Sequence, residues 1–544
     1  MLNITEVENN TKTMVDKLKV TLQGFGLLNS ASEHKIITSA FLYKFLNDKF
    51  LYEIRKTKPE FKNETNLEKK LNELSDDKYE LLLMKLPANT AKLKREYFLS
   101  NLFNNKNKSN FHEIFDDTLT GIANDNIDIF SVHTGSGDKI KLFDQLSVYV
   151  TDTTKKDDFC RSLVDDLIEF SFENIFEQKY DFFSKIFEYL IKDYNKDSGE
   201  YAEYYTPQAI ASIIAKIMVK PGDKNVTIYD PAAGSGTLVL AVAHEIGENN
   251  CSIFTQDISQ KSNEFLRLNL ILNNLVHSLQ NVVHDNTLTN PKHLDSKDKN
   301  KLATFHYIVS NPPFKSNFSK DRDALAGEKH AKRFFAGVPK IPNAKKESMA
   351  IYLCFIQHIL YSLKDGGKAA VVVPTGFLTA QAGIEKKIRE HIVNNHWLRG
   401  VVSMPSNIFA NTGTNVSILF IDKTNQDGDV LLVNASKLGE KVKVGKNQKT
   451  VLSQEELDKI VNTFVEHKIE EDFSVSVTYD QIKEKNYSFS AGQYFDVKIE
   501  YVELTQEEFN GKMQTYTNNL NKLFAESKSL EDEIRNNLKG LKYE

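Results

Sequence analysis

From about residue 200 onward, short runs rich in β-branched residues alternate with longer amphipathic segments. The predicted strands are Val226 to Tyr229, Ser252 to Thr255, Asn281 to Val283, His306 to Val309, Ala369 to Val373, Gly400 to Met404 and Val416 to Ile421. The predicted helices between them are Thr237 to Ile246, Lys261 to Asn273, Met349 to Leu363 and Ile384 to Asn394. This alternation predicts an α/β fold with a parallel, doubly wound sheet. Ligands bind at the carboxyl ends of the strands in such folds, so we expect functional residues there.

The stretches on either side of this region have helical patterns. From Ile4 to about Asn195, apolar residues recur at three- and four-residue spacing, and Thr134 to Asp138 is predicted to be a turn between helices. Beyond about Gly439 the chain becomes rich in lysine and glutamate and is predicted to be helical again. We therefore predict a helical N-terminal domain over residues 1–170, a catalytic domain over 171–438 and a C-terminal extension over 439–544.

The last part of the chain carries a heptad pattern. Its apolar residues follow alternating four- and three-residue steps, with Ser527 in one apolar position: Phe509, Met513, Tyr516, Leu520, Leu523, Leu530 and Ile534. Such a helix packs either on its own domain or against another chain, and the pattern favours neither.

The overall charge argues against a protein that holds nucleic acid by bulk attraction. The chain has 69 Lys and Arg against 74 Asp and Glu, a net charge of -5, so an enzyme acting on DNA needs a local basic segment or a partner.

The three cysteines are far apart and form no Cys-x-x-Cys pair. We expect reduced thiols in the cytoplasm rather than disulfides or a zinc site. No apolar run approaches the roughly 18 residues of a membrane span, and neither secretion nor a membrane location is expected.

A glycine-containing loop follows the first predicted strand. It reads Asp230-Pro231-Ala232-Ala233-Gly234-Ser235-Gly236-Thr237. Gly234 and Gly236 allow a tight turn and a close approach to a ligand, and the next helix offers unpaired N–H groups. The loop is not the phosphate loop of nucleotide hydrolases, because the Lys-Ser/Thr pair after the last glycine is missing.

Asp257 ends the next predicted strand. A carboxylate at that place can accept hydrogen bonds from both ribose hydroxyls of a nucleoside ligand. The alternative is a residue that caps a surface helix.

Asn311-Pro312-Pro313-Phe314 directly follows the predicted strand His306 to Val309. The two prolines fix the backbone and remove its N–H donors, which leaves carbonyl oxygens exposed beside the Asn311 carboxamide. These acceptors can hold a planar amine by both of its hydrogens, and Phe314 can stack on the ring that carries the amine.

Together these motifs resemble those of amino-directed DNA methyltransferases. The further motif Glu203-Tyr204-Tyr205-Thr206-Pro207-Gln208 narrows the resemblance to the modification (M) subunits of type I restriction-modification systems. In local terms, Thr206 is predicted to be a helix N-cap with Pro207 at the first helical position. The resemblance covers most of the chain and includes Val371 to Leu378, Met404 to Gly413 and Asn486 to Ser490.

The resemblance implies a Rossmann-like S-adenosylmethionine-dependent methyltransferase sheet and methylation of the N6 amine of adenine in DNA. It assigns the target amine to Asn311, Pro312, Pro313 and Phe314. It assigns S-adenosylmethionine to Glu203, Tyr204, Tyr205, Thr206, Pro207, Gln208, Asp230, Ala232, Gly234, Ser235, Gly236, Thr237, Asp257 and Asn286. Asp285 departs from the family pattern, which usually has glycine at that position. No metal is required.

A basic segment follows the Asn-Pro-Pro-Phe motif. Residues 315–346 contain nine Lys or Arg against three acidic residues. The segment is either a solvated surface loop or, as its position favours, a DNA-contacting or base-flipping segment. It cannot read a sequence by itself. In the family, a specificity (S) subunit reads the DNA and binds two modification subunits, and a restriction (R) motor-nuclease subunit joins for cleavage.

Two other functions remain open on the residues alone. The Asn-Pro-Pro turn could hold the side-chain amide of a protein glutamine, although the Tyr205-Thr206-Pro207 element and the chain length disfavour that substrate. A DNA-binding scaffold without catalysis is the other alternative, and the intact loop, Asp257 and Asn311 argue against it.

Overall fold

The computed structural model describes residues 4–173, 176, 186, 189, 206–409, 414–425, 428–444, 447–495 and 504–539. Contacts divide the chain into two units, Met1–Tyr494 and Phe495–Glu544. Among the described residues, no helix is both long and apolar enough to cross a membrane.

The N-terminal part is helical because its apolar residues recur at helical spacing. Its helices are α1 Ile4–Gly24, α2 Glu33–Thr57, α3 Leu67–Asn72, α4 Asp76–Met84, α5 Leu99–Asn105, α6 Phe111–Asp125, α7 Ile127–Phe130 and α8 Lys156–Ile168. Helix α2 is buried along most of its length, and Ile37, Phe41 and Ile54 are inaccessible to solvent. The predicted helical character is confirmed for these residues.

Residues 134–138 form a turn between two strands, so the predicted turn between helices is wrong. Strands β1 Val132–Thr134 and β2 Lys139–Ile140 pair antiparallel, and Gly137 takes a φ of 93° inside the turn. Strand β1 also pairs in parallel with the strand Val282–His284 of the following region. The physical reason is that an unpaired sheet edge offers backbone hydrogen bonds to any extended segment beside it.

The region from Gln208 to Asp422 alternates strands and helices as predicted. Its strands are β3 Val226–Asp230, β4 Cys251–Asp257, β5 Val282–His284, β6 Phe305–Ser310, β7 Leu363–Pro374, β8 Leu398–Ser403 and β9 Val416–Asp422. The helices of this region are α9 Gln208–Met218, α10 Thr237–Ile246, α11 Gln260–Leu272, α12 Arg322–Leu325, α13 Tyr352–Ser362 and α14 Gly383–Asn394.

The sheet continues beyond the stretch predicted to be strands. The chain adds β10 Val430–Asn434, the hairpin β11 Glu440–Val444 and β12 Asn447–Val451, helix α15 Gln454–Val465, strand β13 Ser474–Val477 and helix α16 Tyr479–Glu484. The prediction of a helical region after Gly439 is therefore wrong for β11, β12 and β13, whereas α15 and α16 agree with it. Residues on both sides of position 438 contribute to one sheet, and the predicted domain boundaries stay predictions.

Within the described residues, eleven strands form one sheet in the order β13-β10-β8-β9-β7-β6-β3-β4-β5-β1-β2. Strands β3 to β7 pair in parallel, as predicted. Strand β9 is inserted antiparallel between β7 and β8, which makes the sheet mixed. The sequence of β9 could not show its direction, because every one of its residues is buried and the run is apolar in either orientation.

The unit Phe495–Glu544 contains helix α17 Gln506–Lys539, which has no buried residue. Its apolar residues, including those of the predicted heptad pattern, are each about half exposed or more: Phe509, Met513, Tyr516, Leu520, Leu523, Phe524, Leu530, Ile534 and Leu538.

Candidate active site

The candidate site lies where the sheet changes its winding direction. From β3 the chain adds β4 and β5 on one side, and it adds β6 and β7 on the other. The loops that follow β3 and β6 therefore begin side by side and diverge, which opens a crevice at the carboxyl ends of these strands. The Ser310 hydroxyl at the end of β6 donates to Asp230 Oδ1 at the end of β3 over 2.8 Å.

Asp230 holds the start of the glycine-containing loop. Its Oδ1 accepts from the Ala232 backbone N–H at 2.9 Å as well as from Ser310. The side chain is buried, and burial raises the pKa of Asp230 to about 7, although both hydrogen bonds oppose the shift. This carboxyl is a structural anchor whose charge changes near neutral pH.

The two glycines of the loop have backbone conformations that disfavour other residues. Gly234 has a φ of 53° and Gly236 a φ of 82°. A Cβ atom on Gly236 would lie 2.2 Å from Leu266 Cδ1 of α11. The loop is also held from α11, because Asn269 Nδ2 donates to the Ser235 carbonyl at 3.1 Å.

Asp257 faces the loop from the end of β4. Its Oδ2 accepts from Gly234 N at 2.9 Å, and its Oδ1 accepts from Ser259 N at 2.8 Å. Burial raises the pKa of Asp257 above its ordinary value, against these two hydrogen bonds. The helix-cap alternative is wrong, because Asp257 is only 6% exposed and Ser259 caps α11 by accepting from Ser262 N.

The loop after β5 adds a third side to the crevice. Asn286 Oδ1 accepts from Leu288 N at 3.0 Å, which leaves its Nδ2 as the polar group to present to a ligand. The Thr287 hydroxyl donates to the Pro231 carbonyl at 2.6 Å and so ties this loop to the glycine-containing loop.

Asp285, the departure from the family pattern, packs against the β1–β2 turn. Its Oδ1 accepts from Asn286 N at 2.7 Å and its Oδ2 from Asn290 Nδ2 at 2.6 Å. Gly135 lies so close that a Cβ there would be 1.7 Å from Asp285 Oδ2. The Gly135 N–H also donates to the His284 carbonyl at 3.1 Å. The carboxylate at 285 is therefore accommodated by a glycine from the N-terminal region.

Asn311 meets the start of α9. Its Nδ2 donates to Thr206 Oγ1 at 3.2 Å. Thr206 was predicted to be a helix N-cap, and this prediction is wrong: α9 begins at Gln208, and its first turn bonds to the Pro207 carbonyl. The Thr206 hydroxyl is instead occupied by the side chain of a residue 105 positions later.

The remaining residues of the Asn-Pro-Pro-Phe turn differ in exposure. Pro312 is buried, whereas Pro313 and Phe314 are half-buried. The Phe314 ring meets Tyr352 of α13 edge to face, with 6.3 Å between ring centroids. This contact fixes the orientation of the Phe314 ring beside the turn.

A cavity of about 240 Å³ is enclosed by these loops. Most of the predicted site residues line it: Thr206, Asp230, Ala232, Gly234, Ser235, Thr237, Asp257, Asn286, Asn311 and Pro313. Others support the walls without lining the cavity: Pro207, Gln208, Gly236, Pro312 and Phe314. Glu203, Tyr204 and Tyr205 lie outside the described residues.

The sequence interpretation missed several lining residues. Ile258 follows Asp257 directly and is 65% exposed, so its apolar side chain can cover the face of a bound ring; an apolar residue after the acidic one was an available signal. Leu288, Phe318, Ile351 and Phe355 also line the cavity. They come from loops and a helix whose positions no local pattern reveals.

The basic segment has a small core of its own. Phe318, Leu325, Phe334 and Val338 are buried in a cluster that also contains Leu288. Its first part contacts the chain just after its end, where Ser316 N donates to the Met349 carbonyl at 3.1 Å. The basic residues differ in exposure: Arg333 is buried, Arg322 is half-buried, and the exposed ones are Lys315, Lys320, Lys329, Lys332, Lys340, Lys345 and Lys346.

The residues that line the cavity are of the kinds that bind an adenosine-like ligand. The cavity offers a close backbone approach at Gly234, a buried carboxylate at Asp257 for ribose hydroxyls, an amide at Asn286 and an apolar cover at Ile258. On the opposite wall lie Asn311 and Pro313; the Asn311 carboxamide and the Pro312 carbonyl, which forms the peptide bond to Pro313, are the oxygen acceptors of this turn. A ligand methyl group between these walls would face an amine held by the acceptors.

Comparisons with known proteins identify the family of this chain. The family model of N-6 DNA methylases matches residues 178–502. The chain is 27% identical to the type I restriction enzyme MpnII methylase subunit of Mycoplasma pneumoniae, over 98% of this chain and 96% of that protein. It is 30% identical to the MjaIX methylase subunit of Methanocaldococcus jannaschii, over 66% of this chain and 63% of that protein.

The fold also matches a solved structure. A type I restriction-modification system methyltransferase subunit from Streptococcus thermophilus superposes with a TM-score of 0.70 at 21% identity, covering 90% of this chain and 100% of that one. At that identity the likeness concerns the fold, and it confirms the predicted methyltransferase sheet with helical flanking regions. With the family model matching more than half of its length, this chain belongs to the N-6 DNA methylase family.

Proposed function

We propose that this protein is the modification subunit of a type I restriction-modification complex and methylates the N6 amine of adenine in DNA with S-adenosylmethionine. One observation carries the proposal: Asn311, fixed by Thr206, shares a single cavity with the glycine-containing loop and Asp257. The matched relatives are named as methylase subunits of type I restriction enzymes. Those names give no support to a glutamine methyltransferase or to a silent scaffold.

In this proposal, S-adenosylmethionine binds between Asp257, Asn286 and the turn at Gly234. Asp257 accepts the ribose hydroxyls, because each of its oxygens makes one hydrogen bond to the protein backbone and keeps a further acceptor position. Asn286 and Ile258 contact the adenine ring, and the turn at Gly234 allows the backbone to approach the methionine part. When bound, S-adenosylmethionine supplies an activated methyl group on its sulfonium.

The target side positions the amine. The amine of adenine is a weak nucleophile because its lone pair is delocalised into the ring. Asn311 Oδ1 and the Pro312 carbonyl accept its two hydrogens and favour a more tetrahedral nitrogen, which restores the lone pair. Thr206 keeps Nδ2 of Asn311 occupied and so directs Oδ1 to the target. Fixing the nitrogen near the methyl donor supplies the proximity contribution.

The target base must leave the duplex to reach this cavity, at a cost of a few kcal/mol. Stacking on Phe314 offsets part of that cost. The exposed lysines of segment 315–346 contact the phosphates beside the flipped base. Their position in the chain, directly after the Asn-Pro-Pro-Phe turn, supports contact with a DNA substrate despite the net charge of -5.

The specificity subunit is proposed to bind the apolar face of α17, with two modification subunits on each specificity subunit and a restriction subunit joining for cleavage. The supporting observation is that the heptad residues of α17 are about half exposed or more, with Leu523 60% exposed. Exposed leucine and phenylalanine along one helix are typical of a helix that pairs with another chain.

Labelled methyl transfer tests the enzymatic proposal. The protein and its cognate specificity subunit are incubated with DNA and labelled S-adenosylmethionine, and the modified base is identified. We expect N6-methyladenine only with the specificity subunit present. A labelled protein glutamine, or a lack of transfer by a complex that binds DNA and cofactor, would contradict the proposal.

A pair of variants tests the proposed partner surface. Leu520→Lys/Leu523→Lys places two charges on the apolar face of α17, and Asn518→Lys/Asn519→Lys places two charges on neighbouring polar positions. We expect only the leucine variant to lose co-purification with the specificity subunit while it retains cofactor binding. Equal assembly of both variants would contradict the assignment.

A further inference from the structure

Arg333 is buried within the basic segment, although the lysines beside it are exposed. Its side chain is 4% accessible, whereas Lys329 and Lys332 face solvent. The three residues belong to one tight turn, in which the N–H groups of Arg333 and Phe334 donate to the His330 carbonyl at 2.9 and 2.8 Å. A ligand that restrains the two lysines therefore also restrains the backbone that carries Arg333.

The Arg333 guanidinium holds the loop that follows β5. Its Nη2 donates to the Leu288 carbonyl at 2.6 Å. Within the described residues, its Nε and Nη1 are buried without a hydrogen-bond partner. Burial lowers the pKa of Arg333 to about 10, so the side chain is charged at neutral pH. Its other contacts are His330 Nδ1, 3.3 Å from Nη2, and the Phe334 ring, whose centroid is 4.4 Å from the guanidinium carbon. No carboxylate is among these partners, so burying this charge is costly.

Leu288 connects that contact to the side of the cavity that contains Asn286. Its side chain is 2% exposed, packs in the core of the basic segment and lines the cavity. Its backbone N–H donates to Asn286 Oδ1 at 3.0 Å. The neighbouring Thr287 is tied to Pro231 of the glycine-containing loop. A shift of the Leu288 backbone therefore moves the amide that faces the adenine of the cofactor.

We propose that Arg333 is a positioning residue that couples DNA contact at Lys329 and Lys332 to cofactor binding beside Asn286. The inference rests on the proposed function. DNA that holds the turn in place orders Leu288 and Asn286 and so tightens cofactor binding. Because such linkage is reciprocal, bound cofactor strengthens DNA binding by the same factor.

Calorimetry on the complex with the specificity subunit tests this coupling. The affinity for S-adenosylhomocysteine is measured with and without a saturating DNA duplex. The coupling ratio is the affinity for S-adenosylhomocysteine with DNA divided by the affinity without DNA. We expect a coupling ratio of at least about five in the unmodified protein. In Arg333→Met we expect this coupling ratio to fall close to one; the ratio is the readout, because Arg333 holds the backbone of the cavity-lining Leu288 and its loss can also change the affinity without DNA.

Arg322→Met is the matched control. Arg322 lies in the same segment, but it donates to the Pro339 carbonyl and pairs with Asp323 rather than holding Leu288. We expect this variant to keep the coupling ratio of the unmodified protein at saturating DNA. An unchanged ratio in Arg333→Met, or an equal loss in Arg322→Met, would overturn the inference.

A surface variant keeps the test decisive even where Arg333→Met does not fold. Lys329→Ala/Lys332→Ala changes only exposed side chains, and we expect a ratio close to one once DNA is saturating. The inference is overturned if this variant keeps the coupling ratio of the unmodified complex, or if the unmodified complex transfers methyl groups but shows no coupling. Loss of methyl transfer from the unmodified complex would instead refute the proposed function.

Discussion

The two walls of the cavity are held by different kinds of contact. The cofactor wall is built from backbone N–H groups that converge on two buried carboxylates, Asp230 and Asp257, at the ends of adjacent strands. The target wall depends on one rigid turn and on a hydrogen bond between Asn311 and Thr206. The first wall is a network with several supports, whereas the second relies on few contacts.

This difference separates binding from catalysis. The cofactor wall contains the groups suited to hold a ligand in its ground state, so changes there should weaken cofactor binding. In the proposed function the target wall supplies acceptors whose hydrogen bonds strengthen as the amine becomes tetrahedral, so changes there should lower the rate. Four substitutions can test whether the two walls act separately, beginning with the largest expected effect.

Asn311→Ala removes the side-chain acceptor from the target wall. We expect methyl transfer to fall by at least about 100-fold, because one positioned hydrogen-bonding group commonly contributes that much to a rate. Cofactor affinity, measured by calorimetry, should stay within about twofold. Full activity would refute the assigned role, and an equal loss of cofactor binding would show that the walls are not separate.

Asp257→Asn changes the cofactor wall. We expect cofactor affinity to fall by about 10- to 100-fold, since hydrogen bonds to a charged group contribute about 1.5–3 kcal/mol. Asp285→Asn is the matched control: its carboxylate bonds within its own loop and does not line the cavity. In that variant, cofactor affinity should fall by less than about threefold. Equal losses in both would contradict the assignment of the ribose to Asp257.

Asp230→Asn tests the cofactor wall through pH. The pKa of Asp230 is raised from 3.8 to about 7, so the folded chain binds this proton more tightly than the unfolded chain. This contribution to stability is therefore lost as pH rises through that window. Asparagine keeps an acceptor oxygen for Ala232 and Ser310 without the charge.

Urea unfolding at about pH 5 and about pH 8 measures this difference. Relative to the unmodified protein, we expect Asp230→Asn to gain about 2–3 kcal/mol of stability between the two values, since each pH unit below a pKa of about 7 contributes about 1.4 kcal/mol. An identical pH dependence in both proteins would show that Asp230 stays ionised in the fold.

Thr206→Val should give the smallest effect. It removes the hydroxyl that accepts from Asn311 while keeping the shape of the side chain. We expect a loss of about two- to tenfold in the methyl transfer rate, since a net hydrogen bond contributes about 0.5–1.5 kcal/mol. Thr206→Ser keeps the hydroxyl and should retain most of the activity. A defect limited to cofactor affinity would show that Thr206 supports cofactor binding rather than the target wall.

Several features followed from the sequence alone. The alternation of β-branched runs and amphipathic segments predicted β3 to β9 and the loops at their ends, because side-chain periodicity is a local property. The glycine-containing loop, Asp257 and the Asn-Pro-Pro-Phe turn were found in the same way, since the strand ends of a doubly wound sheet determine where such loops meet.

The tertiary structure decided what depends on contacts between distant residues. Strand β1 joins the edge of the sheet and brings Gly135 against Asp285, and Thr206 meets Asn311 across 105 positions. Neither contact leaves a periodic signal in the sequence. Arg333 belongs to a basic run, yet it is buried while its neighbours are exposed. Burial is determined by packing, and composition alone could not identify which of nine cations would be withdrawn from solvent.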